Sequence, residues 1–218
     1  MNGPGLLDAA RKGDIGELAR LLDSDAALLD YRNEMGQSAI LLAKYHRRQD
    51  AVDFLLARGP ALTLHEACAV GAIDTVRQAL RERGRMIDEH SIDGFTPLAL
   101  ACFFAQPEIA RLLIDQGANV NLAANNAMKV APVHAAVAAR QSAILKMLVE
   151  AGADVNARQQ AGFTPLHAAA QNGDEAATRM LLAAGADRQA RADNQQSPLD
   201  MALLGGHGPV AELLGETG

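Results

Sequence analysis

The chain has 218 residues, of which 49% are apolar and only 3% aromatic, and it carries a formal net charge of -6. A core of Ala, Leu, Val and Ile suits closely packed helices and argues against a β-sandwich. The acidic balance gives no electrostatic reason to expect nucleic acid or an anionic membrane as a partner. No apolar run reaches the roughly 18 residues of a membrane span, and the first residues lack the layout of a signal peptide. We therefore expect a soluble, cytoplasmic and monomeric protein.

Related segments, each predicted to begin a helix, recur along the chain. Aligned on a Thr-Pro pair, they begin at Pro4, Ser38, Leu62, Thr96, Ala131, Thr164 and Ser197. The successive spacings are 34, 24, 34, 35, 33 and 33 residues, and a second apolar segment with helical spacing follows each start. Such a period indicates a solenoid, because one helical hairpin cannot bury its apolar face and must stack on its neighbours.

Residues 162–187 show the repeating unit most clearly. Thr164 has the side chain of a helix N-cap, Pro165 suits the first helical position, and Gly173 suits a left-handed helix end. Asp174 can then cap a second amphipathic helix, which ends at the next glycine. The segment is predicted to be a helix-turn-helix hairpin.

Two of the units read GFTPLHAAAQNGDEAATRMLLAAGADRQA and DGFTPLALACFFAQPEIARLLIDQGANVN. They resemble ankyrin repeats, and the resemblance covers essentially the whole chain with about seven repeats. It implies an all-α, ankyrin-repeat solenoid of stacked helix-turn-helix units with β-hairpin finger loops, whose inner helices line a concave face. We predict a single domain over residues 1–218, with the first and last repeats acting as caps. The approximate repeats are 4–35, 36–59, 60–93, 94–128, 129–161, 162–194 and 195–218.

Two departures from the even period predict an uneven groove. The spacing of 24 residues between Ser38 and Leu62 removes about ten residues of finger, so a notch should interrupt the row of fingers. The connection over residues 119–134 is two residues longer than its neighbours. The finger that carries Met128 should therefore project further or kink.

The positions of His and Cys favour structural roles. His65, His134 and His167 share the fourth position of the aligned unit, where an imidazole can bond to the cap and to the next repeat. Equivalent positions in stacked units stand about 10 Å apart, too far to share a metal ion. Cys68 and Cys102 align in adjacent inner helices beyond disulfide reach, so we expect buried core residues in a reducing compartment. No catalytic residue, cofactor or metal is predicted.

Aromatic residues mark a candidate protein-binding surface. Phe54 is expected in the core, but five of the seven aromatic residues map to finger junctions or inner-helix ends, which in ankyrin proteins face the concave groove. Those beside the missing finger form the preferred hot spot, because an exposed apolar patch usually marks a binding site. Alternatively, Phe95 and Phe163 fold back against their own repeats. The predicted set is Tyr45, His46, Val70, Phe95, Phe103, Phe104, Met128, Arg158, Phe163, Gln171 and Asn172.

The resemblance implies a non-catalytic interaction module, an adaptor, inhibitor or regulator that presents a preformed concave surface to an unidentified protein partner. A fingerless third repeat between regular ones is similar to small stand-alone bacterial ankyrin proteins. One alternative is a small-ligand or enzymatic function in a pocket near Tyr45, His46 and Cys102, which requires these side chains to converge. Another is a secreted effector directed at host proteins.

Overall fold

The computed structural model describes residues 2–82 and 86–215, which form fourteen α-helices and no β-strand. The helices pair in chain order, and each inner helix packs against the inner helix of the next pair. The inner helices are α1 (Gly3–Lys12), α3 (Ala39–Tyr45), α5 (Leu64–Val70), α7 (Pro97–Phe103), α9 (Pro132–Ala138), α11 (Pro165–Gln171) and α13 (Pro198–Leu204). The outer helices are α2 (Ile15–Ser24), α4 (Gln49–Ala57), α6 (Ile73–Glu82), α8 (Pro107–Asp115), α10 (Ser142–Glu150), α12 (Glu175–Ala183) and α14 (Gly208–Gly215). The all-α solenoid predicted from the sequence is confirmed.

Caps and turns in the best-preserved unit form as the sequence predicts. Thr164 is the N-cap of α11, and the side chain of Asp174 starts α12 by accepting a hydrogen bond from the Ala177 N–H at 2.9 Å. Gly173 adopts a φ of 64° between the two helices. This left-handed conformation costs glycine little, because glycine has no Cβ.

The same left-handed position recurs in the turn between the two helices of every pair. Glycine occupies four of these turns, but Arg47, Ala105 and Arg140 occupy the others with φ values of 56°, 59° and 55°. A residue with a side chain is strained in this conformation. The seven turn residues are Gly13, Arg47, Gly71, Ala105, Arg140, Gly173 and Gly206.

The finger loops are tight turns rather than the β-hairpins expected from the resemblance. In a representative finger, the Ser91 N–H donates to Phe95 O and the Gly94 N–H donates to Ser91 O, both at 2.9 Å. Five residues closed in this way leave no room for a strand ladder. Among the described residues, β-type pairing is limited to one isolated bridge between Arg32 and Ser38.

The longer connection forms a wider turn, as its two extra residues require. The Ala124 N–H donates to Val130 O at 2.9 Å, which encloses seven residues instead of five. Lys129 takes a left-handed φ of 51° within this turn. The turn is hydrogen-bonded to both neighbouring fingers. The Asn125 N–H donates to Gly94 O at 3.0 Å, and the Gln160 N–H donates to Met128 O at 2.9 Å.

The missing finger lies between α4 and α5, which are joined by residues 58–63 alone. The two fingers that flank the gap approach each other across it. A Cβ built on Gly36 would lie 2.5 Å from Ile92 Cδ1, so the side chain of Ile92 packs directly on the Gly36 backbone. A hollow of about 440 Å³ remains beneath these two fingers.

The third inner helix begins one residue later than the alignment predicts. Thr63, not Leu62, is the N-cap of α5, and its hydroxyl accepts a hydrogen bond from the Glu66 N–H at 3.2 Å. The Glu66 carboxylate accepts in return from the Thr63 N–H at 2.8 Å. Glu66 therefore occupies the capping position that His167 holds in α11, and His65 lies one residue before it.

The apolar core is divided in two at the same place. One cluster of buried residues comes from α1 to α4, the other from α5 to α14, and Leu62 contacts both. In the described part of the chain, α4 and α6 do not pack closely, whereas every other pair of neighbouring outer helices does. We call this boundary the α4–α5 junction.

Polar contacts connect the two parts across the α4–α5 junction. Arg32 Nη2 donates to Glu66 Oε2 at 2.7 Å, and Glu66 is only 2% exposed. Burial favours the neutral acid, but hydrogen bonds from Arg32, Ser38 and Thr63 hold the pKa of Glu66 below its usual value. The Asp30 carboxylate accepts from the Ala61 N–H at 2.8 Å. These polar contacts therefore add to the limited apolar packing that connects the two parts at this boundary.

Candidate protein-binding surface

An apolar groove of about 260 Å³ lies on the concave face, where α7 and α9 meet the fingers. Tyr45, Phe95, Phe103 and Met128 form its walls, and alanine-rich faces of the two helices form its floor. No Asp, Glu, Lys or Arg from the described ranges lines it. We use the name apolar groove for the surface lined by these four residues and the inner faces of α7 and α9.

Three aromatic rings form a contiguous cluster at one wall of the apolar groove. The ring centroids of Tyr45 and Phe104 are 5.2 Å apart, and those of Phe103 and Phe104 are 5.1 Å apart in an edge-to-face arrangement. Tyr45 belongs to α3 and Phe103 ends α7, so the cluster spans α5 between them. The helix α5 ends in Val70 and Gly71, which are small enough for the ring of Tyr45 to reach across.

The side chain of Tyr45 is held in place by a polar contact. Its hydroxyl donates to Asp93 Oδ2 at 3.1 Å, which ties α3 to the finger before α7. Burial, together with the negative charge and hydrogen bond of Asp93, raises the pKa of Tyr45, so the phenol stays neutral and remains a donor. This wall of the groove is therefore preformed.

Phe103 and Met128 are the accessible anchors of the apolar groove. Each is 44% exposed, although both are large apolar side chains. They lie on different elements, since Phe103 ends α7 and Met128 belongs to the widened finger. A partner that covered both would bury apolar surface without rearranging the backbone.

A second hollow of about 350 Å³ lies on the other side of Phe103. Lys44, Arg47 and Arg48 line it, and no Asp or Glu of the described residues does. Lys44 Nζ lies 5.8 Å from the ring centroid of Phe104, which permits a cation–π contact. We call the surface lined by Lys44, Arg47 and Arg48 the basic hollow.

Other members of the predicted set lie away from the apolar groove. His46 is exposed and lines a separate hollow beside Arg11 and Tyr31. Val70 is half-buried against the core of α1 to α4. Phe163 packs edge-on against His167 with centroids 5.5 Å apart, which matches the alternative that it folds back on its own repeat.

The three predicted polar residues, Arg158, Gln171 and Asn172, lie away from the apolar groove. Arg158 is exposed, and its Nη2 donates to the backbone oxygen of Arg191 in the next finger at 2.8 Å. The backbone oxygen of Gln171 accepts from His207 Nε2 at 3.0 Å, and that of Asn172 accepts from Arg140 Nη2 at 2.6 Å. These contacts connect repeats and do not border the groove.

The histidines connect neighbouring units through backbone groups. The Ala131 N–H donates to His134 Nδ1 at 3.3 Å, and His134 Nε2 lies 3.1 Å from Ala157 O in the finger that leads to the next unit. His167 makes the equivalent pair of contacts, as predicted. His65 Nε2 lies 2.8 Å from Glu89 O, but the capping position predicted for His65 is occupied by Glu66. In residues 2–82 and 86–215, no group of three His, Cys, Asp or Glu side chains could hold a metal ion.

The residues of the alternative small-ligand pocket do not converge. Cys68 and Cys102 are unpaired and fully buried, and burial raises the pKa of both thiols. An activated nucleophile requires a lowered pKa and access to the substrate. In addition, Tyr45 and His46 line different hollows. The expectation that Phe54 is core is correct only in part, since it is half-buried beneath the Arg58 guanidinium, 4.8 Å from its ring centroid.

Several groove residues lie between the predicted ones and were not in the predicted set. Leu100, Val130 and Ala138 line the apolar groove, and their aligned positions on inner helices and finger ends were a usable signal. The basic hollow gave a weaker signal, because its cations come from a single turn and the whole chain is acidic.

Comparisons with known proteins agree with this architecture. The family model for ankyrin repeats (3 copies) matches residues 64–159 and 133–218, which together exceed half of the chain. The human protein "Ankyrin repeat and SOCS box protein 16" is 37% identical over 106 residues, which are 49% of this chain and 23% of that protein. Human "DNA-binding protein RFXANK" is 31% identical over 78 residues, which are 36% of this chain and 30% of that protein. The chain thus matches less than a third of the length of either relative. None of the helices in the described ranges has the length and apolarity of a membrane span.

Proposed function

The chain belongs to the ankyrin-repeat family, and from this premise we propose that it is a non-catalytic adaptor, inhibitor or regulator that binds a protein partner through the apolar groove. Ankyrin repeats generally mediate protein–protein interaction. The observation that carries the proposal for this groove is the exposure of Phe103 and Met128 beside a wall of packed aromatic rings. Large apolar side chains that remain accessible on a preformed surface are typical binding anchors.

The rigidity of the site supports this function. Tyr45 is fixed by Asp93, and the finger that carries Met128 is bonded to both neighbouring fingers. Because these groups are already ordered, a partner has little conformational entropy to remove on binding. The unpaired, buried Cys68 and Cys102 favour a reducing compartment, and we extend the proposal to a cytoplasmic site of action.

Affinity capture from the native cell with matched variants tests the proposal. The variant Phe103→Ala, Met128→Ala removes both anchors, whereas Leu204→Ala removes an apolar side chain that is 76% exposed on the last inner helix and does not line the groove. We expect the captured partner to bind the double variant at least about 10-fold more weakly, because hot-spot truncations cost about 2 kcal/mol or more. Leu204→Ala should bind like the wild type.

Circular dichroism at the capture temperature shows whether each variant keeps its helical content. If a folded Phe103→Ala, Met128→Ala variant recovers the same partner as well as the wild type does, the apolar groove is not the binding site. Equal losses for the double variant and for Leu204→Ala would also contradict the proposal.

A further inference from the structure

We propose that the partner segment that occupies the apolar groove is a peptide whose apolar side chains stand beside a cluster of carboxylates, and that these carboxylates enter the basic hollow. This inference depends on the proposed function and adds the chemistry of the partner to it. It is carried by the contrast between two adjoining hollows, one without charged side chains and one with three cations.

The two hollows adjoin each other. Phe103 and Ala138 line both of them, so these two residues form the boundary between the apolar groove and the basic hollow. A segment that crosses Phe103 therefore contacts both surfaces within a few residues of its own length. A partner that filled only the apolar groove would leave the adjacent cations without a negatively charged partner.

The cations of the basic hollow are poorly compensated. The side chain of Arg47 is exposed and makes no hydrogen bond or ion pair to the described residues. Arg48 Nε donates to a backbone oxygen, that of Arg11, at 3.2 Å. The carboxylate whose charge acts on Lys44 is that of Asp53, which accepts a hydrogen bond from Gln49 Nε2 at 2.8 Å. The hollow thus presents an excess of positive charge in a chain whose formal net charge is -6.

A carboxylate-bearing peptide fits this arrangement better than a nucleic acid does. Carboxylates are strong acceptors for guanidinium and ammonium groups, and apolar side chains fill a groove without charged walls. A phosphate backbone would use Lys44 and Arg47 but would leave the apolar groove empty. The chain as a whole also repels polyanions through its negative net charge.

Selection from a displayed library of random 12-residue peptides tests the inference on the full chain. The wild type is compared with Lys44→Gln, Arg47→Gln, which neutralises the basic hollow, and with Phe103→Ala. The matched control is Arg81→Gln, Arg111→Gln, which removes two cations from exposed positions on the outer helices α6 and α8. We expect the wild type and the control to select peptides in which apolar residues stand within a few positions of Asp or Glu.

One selected peptide is then synthesised with a fluorescent label, and its Kd is measured by anisotropy. Lys44→Gln, Arg47→Gln should weaken binding about 5- to 10-fold, since each partly exposed charge pair contributes modestly. The same variant should leave unchanged the Kd of a peptide in which Asn and Gln replace Asp and Glu. Phe103→Ala should weaken both peptides, and the arginine control should weaken neither.

Three results would overturn the inference. Selected peptides that depend on Phe103 but contain no acidic preference would refute it and leave the proposed function intact. Failure of the folded wild type to select any peptide would refute a short linear partner segment. Binding of a single-stranded DNA oligomer that depends on Lys44 and Arg47 but not on Phe103 would assign the basic hollow to a nucleic acid. The proposed function itself fails only in the capture experiment with Phe103→Ala, Met128→Ala.

Discussion

His134 shows how one buried side chain completes half of a capping box at the start of its helix. Ala131 stands at the N-cap of α9 and has no side-chain oxygen to accept from the first helical turn, whereas His134 Nδ1 accepts from the Ala131 N–H. His134 Nε2 contacts Ala157 O, so it must carry the proton. The arrangement requires a neutral ring, and burial lowers the pKa of His134 to about 4.

This buried imidazole predicts a loss of stability in mild acid. The unfolded chain binds a proton at His134 near pH 6.5, whereas the folded chain resists it until about pH 4. The free energy of unfolding should therefore rise with pH across this window and fall by up to about 3 kcal/mol on acidification from its upper to its lower end. His167, whose pKa is also lowered by burial, acts in the same direction.

Urea titrations at several pH values between 6.5 and 4.5 measure this dependence. His134→Gln lowers stability at neutral pH but removes one titrating group, so its unfolding free energy should vary less steeply with pH than that of the wild type. Parallel curves for the two proteins would show that His134 does not carry the effect.

The sequence predicts the residues at the capping position where the repeat period is regular. It fails to predict them where the period is interrupted. His134 and His167 follow from their position three residues after the cap, because the hydrogen bonds repeat with the unit. Glu66 could not be found in this way. The shortened connection before α5 shifted the alignment, which placed the start at Leu62 instead of Thr63 and His65 instead of Glu66 at the capping position.

The turns within the helix pairs show which elements carry backbone strain. Arg47, Ala105 and Arg140 are left-handed where glycine stands in the other units. Arg140 gains a hydrogen bond to Asn172 O in return, and Arg47 contributes to the basic hollow. The structure offers no comparable contact for Ala105, a residue with a single methyl group. Of these three turns, the one at Arg140 therefore has an identifiable side-chain contact that glycine could not make.

A matched pair of turn variants tests the strain. Ala105→Gly should raise the free energy of unfolding by about 0.5 to 1 kcal/mol, because relief of the left-handed strain exceeds the added flexibility of the unfolded chain. Gly206→Ala is the converse change in the last unit, where a Cβ would meet nothing within 4 Å. It should lower the free energy of unfolding by a similar amount.

Thermal and urea denaturation followed by circular dichroism measure both changes. If Ala105→Gly is destabilising while Gly206→Ala is neutral, the left-handed turns do not store the strain described here.

The sequence predicts the helices well, but it does not predict the shape of the fingers. Caps, prolines and apolar spacing determine helix starts locally, so α11 and α12 begin where Thr164 and Asp174 predict. The fingers were expected as hairpins, but five-residue turns cannot form ladders. Tyr45 and Phe104 were both in the predicted binding set, but the direct contact of their rings could not be predicted from the sequence. It depends on how far the Tyr45 side chain reaches across α5.

At the scale of the whole molecule, the divided core is the main departure from a uniform solenoid. Stability in a repeat array is approximately the sum of unit terms and interface terms between neighbours. The interface at the α4–α5 junction lacks close packing between α4 and α6. It depends instead on the packing of α3 on α5, on Leu62 and Val70, and on polar contacts such as the pair of Arg32 with Glu66. We therefore expect the first two helix pairs to form a semi-independent cooperative unit.

We expect this unit to unfold first in urea. The two tyrosines, Tyr31 and Tyr45, both precede the α4–α5 junction, so tyrosine fluorescence reports on the N-terminal part while circular dichroism reports on all helices. The fluorescence midpoint should lie at a lower urea concentration than the main circular dichroism transition. Glu66→Gln should lower this midpoint further, because it leaves Arg32 without its ion pair and reduces the free energy of unfolding of this unit by about 1 to 3 kcal/mol.

The control is Glu150→Gln, which removes an exposed carboxylate far from the α4–α5 junction, on α10. It should leave the fluorescence midpoint unchanged. Coincident midpoints for the two probes, in the wild type and in Glu66→Gln alike, would show that the array unfolds as one unit despite its divided core.

The divided core also has a mechanical meaning. A pulling force applied through the two ends of the chain would open the protein first along this seam, and the first 57 residues would extend before the rest. Tyr45 lies on one side of the seam and Phe103 on the other, and both wall the same groove. A ligand bound there would contact both sides and hold them together. The force needed to unfold a single molecule should therefore be higher when the groove is occupied.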